Sequence, residues 1–158
     1  MRLALYQPDI PQNTGTILRM AACLGVGVDV IGPTGFDMSD RALRRAGLDY
    51  LDHVALVRHT SFEAFEAVRS GSKARLVLLT TDAKQTFCEF RFQSDDILLT
   101  GRESAGVPEE VHQAADARIV IPMKPGLRSL NVAIAAAIVL SEALRQTGHF
   151  LRDSALGM

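Results

Sequence analysis

Leu98-Leu-Thr-Gly-Arg-Glu-Ser-Ala-Gly-Val-Pro-Glu-Glu110 and Ile121-Pro-Met-Lys-Pro-Gly-Leu-Arg-Ser-Leu-Asn131 decide the fold. In each, an apolar run enters a tight turn rich in Gly or Pro and leaves it at a helix start. Such turns point backbone N–H and C=O groups into one place, because the first N–H groups of a helix have no partner inside it. The pair predicts a cleft that grips a small polar ligand by main chain.

On either side of these stretches, apolar strand-like runs recur at Leu3–Tyr6, Val26–Ile31, Val54–Val57, Leu76–Thr80, Ile97–Thr100 and Ile119–Ile121. Helical periodicity fills the intervals at Thr14–Leu24, Ser39–Ala46, Ser61–Ser70, Pro108–Ala115 and Asn131–Gln146. The alternation predicts an α/β fold, a parallel sheet flanked by helices. Boundary signals agree with it. Thr60 and Glu63 read as a capping box, Pro108 as a first helical residue followed by Glu109 and Glu110, and Gly47 and Gly148 as helix C-terminal positions. No repeat or linker divides the chain, so residues 1–150 read as one domain and 151–158 as a tail.

At 158 residues and 47% hydrophobic content the chain can bury a sizeable core. Lys and Arg number 17 against 18 Asp and Glu, a net charge of -1, so any RNA site must be a local basic patch. Cys23 and Cys88 stand outside any CxxC or Cys/His metal spacing and read as reduced thiols of a cytoplasmic protein. Met1–Tyr6 turns polar at Gln7, too early for a signal sequence, and Val132–Leu140 is too short to span a bilayer. The expectation is a soluble protein with no membrane segment. Val132–Leu140 is also apolar around its whole circumference, which fits a central core helix or one buried in part against a second subunit.

The turn Gly101–Gly106 lacks the GxGxxG spacing, and its second glycine is followed by Val107-Pro108 where a phosphate loop needs Lys and Ser/Thr. A dinucleotide-dependent oxidoreductase or a P-loop enzyme is thereby disfavoured. In the second stretch two prolines and a glycine fix the path, while Lys124, Arg128, Ser129 and Asn131 supply donors near a helix start. Ser129 or Asn131 also reads simply as an N-cap. A third polar block, Pro8–Arg19, offers Asn13 as the cap of a helix from Thr14, with Arg19 among Ile17, Leu18, Met20 and Ala21.

Taken together, Asn13 to Arg19, Leu98–Glu110 and Ile121–Asn131 resemble the three motifs of the SPOUT superfamily of RNA methyltransferases. The likeness is greatest to its minimal tRNA (cytidine/uridine-34)-2′-O-methyltransferases, which act on the wobble ribose. It runs from about Leu3 to Gly148 and includes Arg44–Tyr50. The resemblance implies a C-terminal trefoil knot, a rarity that strand counting would not suggest, and a homodimer. It implies S-adenosyl-L-methionine bent in the knot, held around Leu79, Thr80, Gly101, Glu103, Ile121, Ser129 and Leu130, with no metal. Arg19 would reach the target ribose from the partner subunit, with Ser129 and Asn131 completing the catalytic set. The tRNA anticodon loop would lie on a basic surface for which Arg41, Arg44, Arg45, Arg58, His59, Lys124 and Arg128 are candidate phosphate contacts. The middle motif departs from some relatives in that Arg102 follows Gly101 and in that Ser104-Ala105 replaces bulkier or basic residues seen elsewhere. Another RNA acceptor, an rRNA ribose or a base nitrogen, and a non-catalytic RNA-binding dimer are the alternatives.

Overall fold

The computed structural model describes residues 1–45 and 50–151. Among them seven strands form one sheet: β1 (Arg2–Tyr6), β2 (Gly27–Ile31), β3 (Leu56–His59), β4 (Leu76–Leu79), β5 (Gln85–Thr86), β6 (Ile97–Thr100) and β7 (Ala117–Val120). Their order is β3-β2-β1-β6-β4-β7-β5, and each pairing is parallel. The helices are α1 (Pro11–Cys23), α2 (Asp40–Arg45), α3 (Phe62–Ser72), α4 (Glu109–Ala114) and α5 (Val132–Gln146), with 3-10 turns at Leu51–His53 and His149–Leu151. No helix among the described residues is long and apolar enough to cross a membrane.

Successive side chains of a strand point to opposite faces, and the core divides accordingly. Leu3, Leu5, Val28, Val30, Val77 and Leu98 pack on one face with Ile17, Leu18 and Ala21 of α1 and with Ala136, Val139, Leu140 and Leu144 of α5. Ala4, Tyr6, Ile31, Leu76, Leu78 and Leu99 pack on the other with Phe62 and Phe65 of α3 and Val111 of α4. The middle strands are covered on both faces, which is why they read as unbroken apolar runs.

Register then positions the cleft. Thr100 at the end of β6 lies opposite Leu5 of β1 and Leu79 of β4, so the three strands deliver their following loops to one edge. Ligands of open parallel sheets bind at this carboxyl edge.

The structure corrects several predicted boundaries. Ser61, not Thr60, caps α3, its hydroxyl accepting from the Ala64 N–H at 3.2 Å. Pro108 is itself the N-cap of α4, outside the first helical position. Helix α1 begins at Pro11, where the missing N–H of proline is no loss, so Asn13 lies inside the first turn and is released from capping. Asn131 does cap α5, its Oδ1 accepting from Ala133 and Ile134, and Gly148 follows that helix at φ +69°. Strand β3 falls two residues later than Val54–Val57, because Leu51–His53 turns first. The two-residue β5 escapes any sequence pattern. Gly47 and the tail from 152 lie outside the described residues.

Helix α5 settles part of the question its composition raised. Ala133, Ala136, Val139, Leu140, Ala143 and Leu144 are buried on the sheet side, yet Ile134 is 54% exposed. One apolar side chain of the helix, near its start, is thus left uncovered by its own chain.

Candidate active site

The loops after β1, β4, β6 and β7 meet over the carboxyl edge of the sheet and enclose a cavity of about 500 Å³, a size usual for small-molecule sites. Leu79, Ile121, Leu130, Val132 and Ala135 give it apolar lining, while Asn13, Thr80, Arg102, Glu103, Ser129 and Asn131 give it polar lining.

The loop after β6 is a closed hairpin. The Arg102 N–H donates to the Gly106 carbonyl at 3.1 Å, and the Gly106 N–H donates back to Arg102 at 2.8 Å. The backbones come so close that a Cβ at Gly101 would stand 2.8 Å from Cα of Gly106, and Gly106 itself has φ +64°. Both positions therefore require glycine. A second reciprocal pair ties this hairpin to the loop after β1. The Glu103 N–H donates to Oδ1 of Asp9 at 3.2 Å, and the Asp9 N–H donates to Oε2 of Glu103 at 2.9 Å.

Glu103 also accepts from Nδ2 of Asn13 at 3.2 Å, and Oδ1 of Asn13 accepts from Nδ2 of Asn131 at 2.9 Å. A chain of polar contacts thus runs from the hairpin through α1 to the start of α5. The two faces of the Asn131 amide are both used, one to cap α5 and one to hold Asn13. Asp9 closes the far end. Its carboxyl is held at about 2, below its ordinary value, chiefly by the neighbouring Glu103 side chain and next by the Ser104 hydroxyl that donates to it.

Leu79, Thr80, Gly101, Glu103, Ile121, Ser129, Leu130 and Asn131 all line the cavity. Arg19 does not line the cavity of its own chain. It is exposed on α1, its guanidinium carbon 4.9 Å from the centre of the Tyr50 ring, a cation–π distance. Of the candidate phosphate contacts, Arg41, Arg44 and Arg45 are exposed on α2, and Lys124 and Arg128 on the loop before α5. Arg44 forks onto Asp52 at 2.7 and 3.3 Å, and Arg58 reaches Asp40 at 2.5 Å. His59 is a correction: it is buried, with Nε2 2.8 Å from Oδ1 of Asp29 and its ring edge-on to Phe65, and has no surface to offer a phosphate. Sequence reasoning passed over Asp9 altogether. Its role depends on a partner 94 positions away, which no local spacing encodes.

Comparison with known proteins places the site in a family. Residues 1–141 match the model of the SpoU rRNA Methylase family. A protein of Beijerinckia indica named tRNA (cytidine(34)-2′-O)-methyltransferase is 66% identical over 146 residues, 92% of this chain and 91% of that protein. A solved structure described as giving structural insights into the 2-OH methylation of C/U34 on tRNA superposes with a TM-score of 0.84 at 44% identity, covering 92% of this chain and 94% of the other. An AdoMet-bound rRNA methyltransferase from Sinorhizobium meliloti superposes with a TM-score of 0.82 at 30% identity, covering 91% of this chain and 55% of that one.

Proposed function

Because the chain belongs to the SpoU rRNA Methylase family, we propose that it transfers a methyl group from S-adenosylmethionine to the ribose 2′-hydroxyl of nucleotide 34, cytidine or uridine, in tRNA. The names of its relatives support that acceptor, and the AdoMet-bound neighbour supports the donor. The observation that carries the reading is the hydrogen-bonded convergence of Glu103, Asn13 and Asn131 at a cavity walled by glycine-tight main chain.

The residues fit such a donor. Gly101 lets the hairpin close with its main chain on the cavity wall, since any Cβ there would meet the Gly106 backbone. Leu79, Ile121 and Leu130 suit the flat adenine, and Thr80, Ser129 and the loop backbones suit its polar groups. When bound, S-adenosylmethionine supplies an electrophilic methyl on a positively charged sulfur. This chain has to hold the acceptor in line and help it lose a proton. Proximity and orientation of this kind contribute about 7–11 kcal/mol in favourable cases.

In this reading Asn131 and Ser129 face the acceptor, and Glu103 fixes Asn13 and the hairpin around it. Arg19 orients the 2′-hydroxyl and an adjacent phosphate. A guanidinium stays protonated in proteins, which suits orientation better than proton abstraction. The position of Arg19 outside its own cavity, and the exposure of Ile134 on α5, favour a homodimer in which each subunit lends Arg19 to the other. Residues 1–150 act as the single methyltransferase domain, with the C-terminal segment passing through a trefoil knot, and the protein works in the cytoplasm. The anticodon loop lies along Arg41, Arg44, Arg45, Lys124 and Arg128. Exposed pairs such as Arg44–Asp52 are weak enough to exchange for phosphate.

The test is methyl transfer from radiolabelled S-adenosylmethionine to total tRNA from cells lacking this protein, mapped by nuclease digestion and mass spectrometry. Label at the 2′-oxygen of position 34, lost in Arg19→Ala, is the expected result. Label confined to rRNA, or to a base, would replace the acceptor. Absence of transfer with the donor bound would replace the catalytic reading with an RNA-binding one.

A further inference from the structure

Among the described residues that line the cavity, Arg102 is the one cation. Its Nε is buried and lacks a hydrogen bond, with Oδ2 of Asp9 standing 3.8 Å away. Nη1 donates one long bond, 3.4 Å, to Oε1 of Gln7. Asp9 has little left to give, since Oδ2 already accepts from the Ser104 hydroxyl and Oδ1 from the Glu103 N–H. A guanidinium carries five N–H donors in a rigid fork, and this one makes a single weak bond. Nε is a buried donor left unpaired, which is destabilising, while the side chain as a whole is 34% exposed, so its remaining donors are within reach of an anion that arrives with a ligand.

We infer that Arg102 is a substrate-binding residue that grips a backbone phosphate of the RNA next to the target ribose; this rests on the function proposed above. Two observations favour a phosphate over the carboxylate of the methyl donor. Arg102 is on the β1 side of the cavity, where it touches Gln7 and Asp9 of the β1 loop and adjoins Glu103, which holds Asn13. The apolar lining suited to adenine comes instead from Leu79 at the end of β4 and Ile121 just after β7, strands on the far side of β6. An RNA ribose also brings its own phosphates, so a pocket that holds the sugar has one within reach. The planar fork of arginine matches two phosphate oxygens. Asp9 serves as the placeholder that keeps the guanidinium in position until the RNA arrives.

The test is equilibrium binding of purified tRNA to the wild-type protein, Arg102→Gln and Arg102→Lys over a salt series, with S-adenosylmethionine binding measured separately by calorimetry. We expect Arg102→Gln to weaken tRNA binding about tenfold. The slope of log K against log salt should fall by about 0.7–0.9, one phosphate contact, and S-adenosylmethionine affinity should stay unchanged. Arg102→Lys should keep the slope and lose part of the affinity. Weakened S-adenosylmethionine binding with an unchanged tRNA slope overturns the inference in favour of the donor's carboxylate. Unchanged binding of both overturns it in favour of a brace for Asp9 alone. Should Arg102→Gln not fold, Arg102→Lys decides, because wild-type affinity and slope there exclude a forked phosphate contact. A wild-type protein that binds S-adenosylmethionine but no tRNA would sink the proposed function itself, a result distinct from any of these.

Discussion

Asp9 sits in a Pro8-Asp-Ile-Pro11 run that reads as a connecting turn, yet it holds the Arg102–Gly106 hairpin from 94 positions away. Its carboxyl titrates near 2 in the folded chain, against an ordinary value near 3.9 in an unfolded one. A carboxyl whose folded value is depressed adds stability above the unfolded value and loses it as pH falls toward the folded one. Asp9→Asn should therefore melt below the wild type at neutral pH, and the gap should close between about pH 4 and pH 2. Melting temperatures taken across that range check this, and a gap that stays constant with pH would refute it. At this scale the sequence was legible where a residue acts on its neighbours. Asn131 reads as a cap because its targets lie two and three residues on. The other hydrogen bond of Asn131, to Asn13 118 positions earlier, leaves no local trace.

The elements were legible to the extent that burial is periodic. Strand β4 is apolar at every position, and β1 and β6 depart from that only at Arg2 and Thr100, because both faces are covered, and such runs announce themselves. β5 has two residues at the sheet edge, too few to carry a pattern. Helix starts differ from the predicted ones by one to three residues, since Thr60 and Ser61 offer the same cap, and Asn13 as a cap and Pro11 as a first residue are both good helix openers until packing selects one. The turn after β6 reads in the sequence as a ligand loop, and the structure shows it as a closed hairpin on the cavity wall, whose geometry sets its glycine apart from one on a helix. Gly101→Ala forces a Cβ to 2.8 Å from the Gly106 backbone and should lower stability by about 1–3 kcal/mol while weakening S-adenosylmethionine binding. Gly71→Ala, on α3 with nothing within 4 Å, should raise stability by about 0.5–1 kcal/mol. Urea unfolding of the two variants side by side decides; equal effects would mean the close approach at Gly101 is not a constraint.

For the whole molecule, the order β3-β2-β1-β6-β4-β7-β5 lay beyond any reading of the chain. β6 separates β1 from β4 only because loops close over nearly a hundred residues, and runs of similar hydrophobicity compete equally for that place. The apolar composition of α5 is legible in the sequence, whereas the exposure of Ile134 among its buried neighbours is not. If the site is shared between subunits, Arg19→Ala and Asn131→Ala should each be inactive alone. Dimers co-expressed from the two should regain about a quarter of wild-type activity, since half are mixed and each mixed dimer holds one intact site of two. No recovery in a verified mixed dimer would place Arg19 and its cleft on one chain.

The cavity draws its lining from Ile10 through Ala135. A ribosome-bound chain that stops short of α5 has its Gly101 hairpin and lacks the Asn131 end of the cleft, so domain-wise folding during synthesis yields no partial enzyme. Premature termination before that helix should release only inert fragments, and methylation capacity in the cell should track completed chains alone.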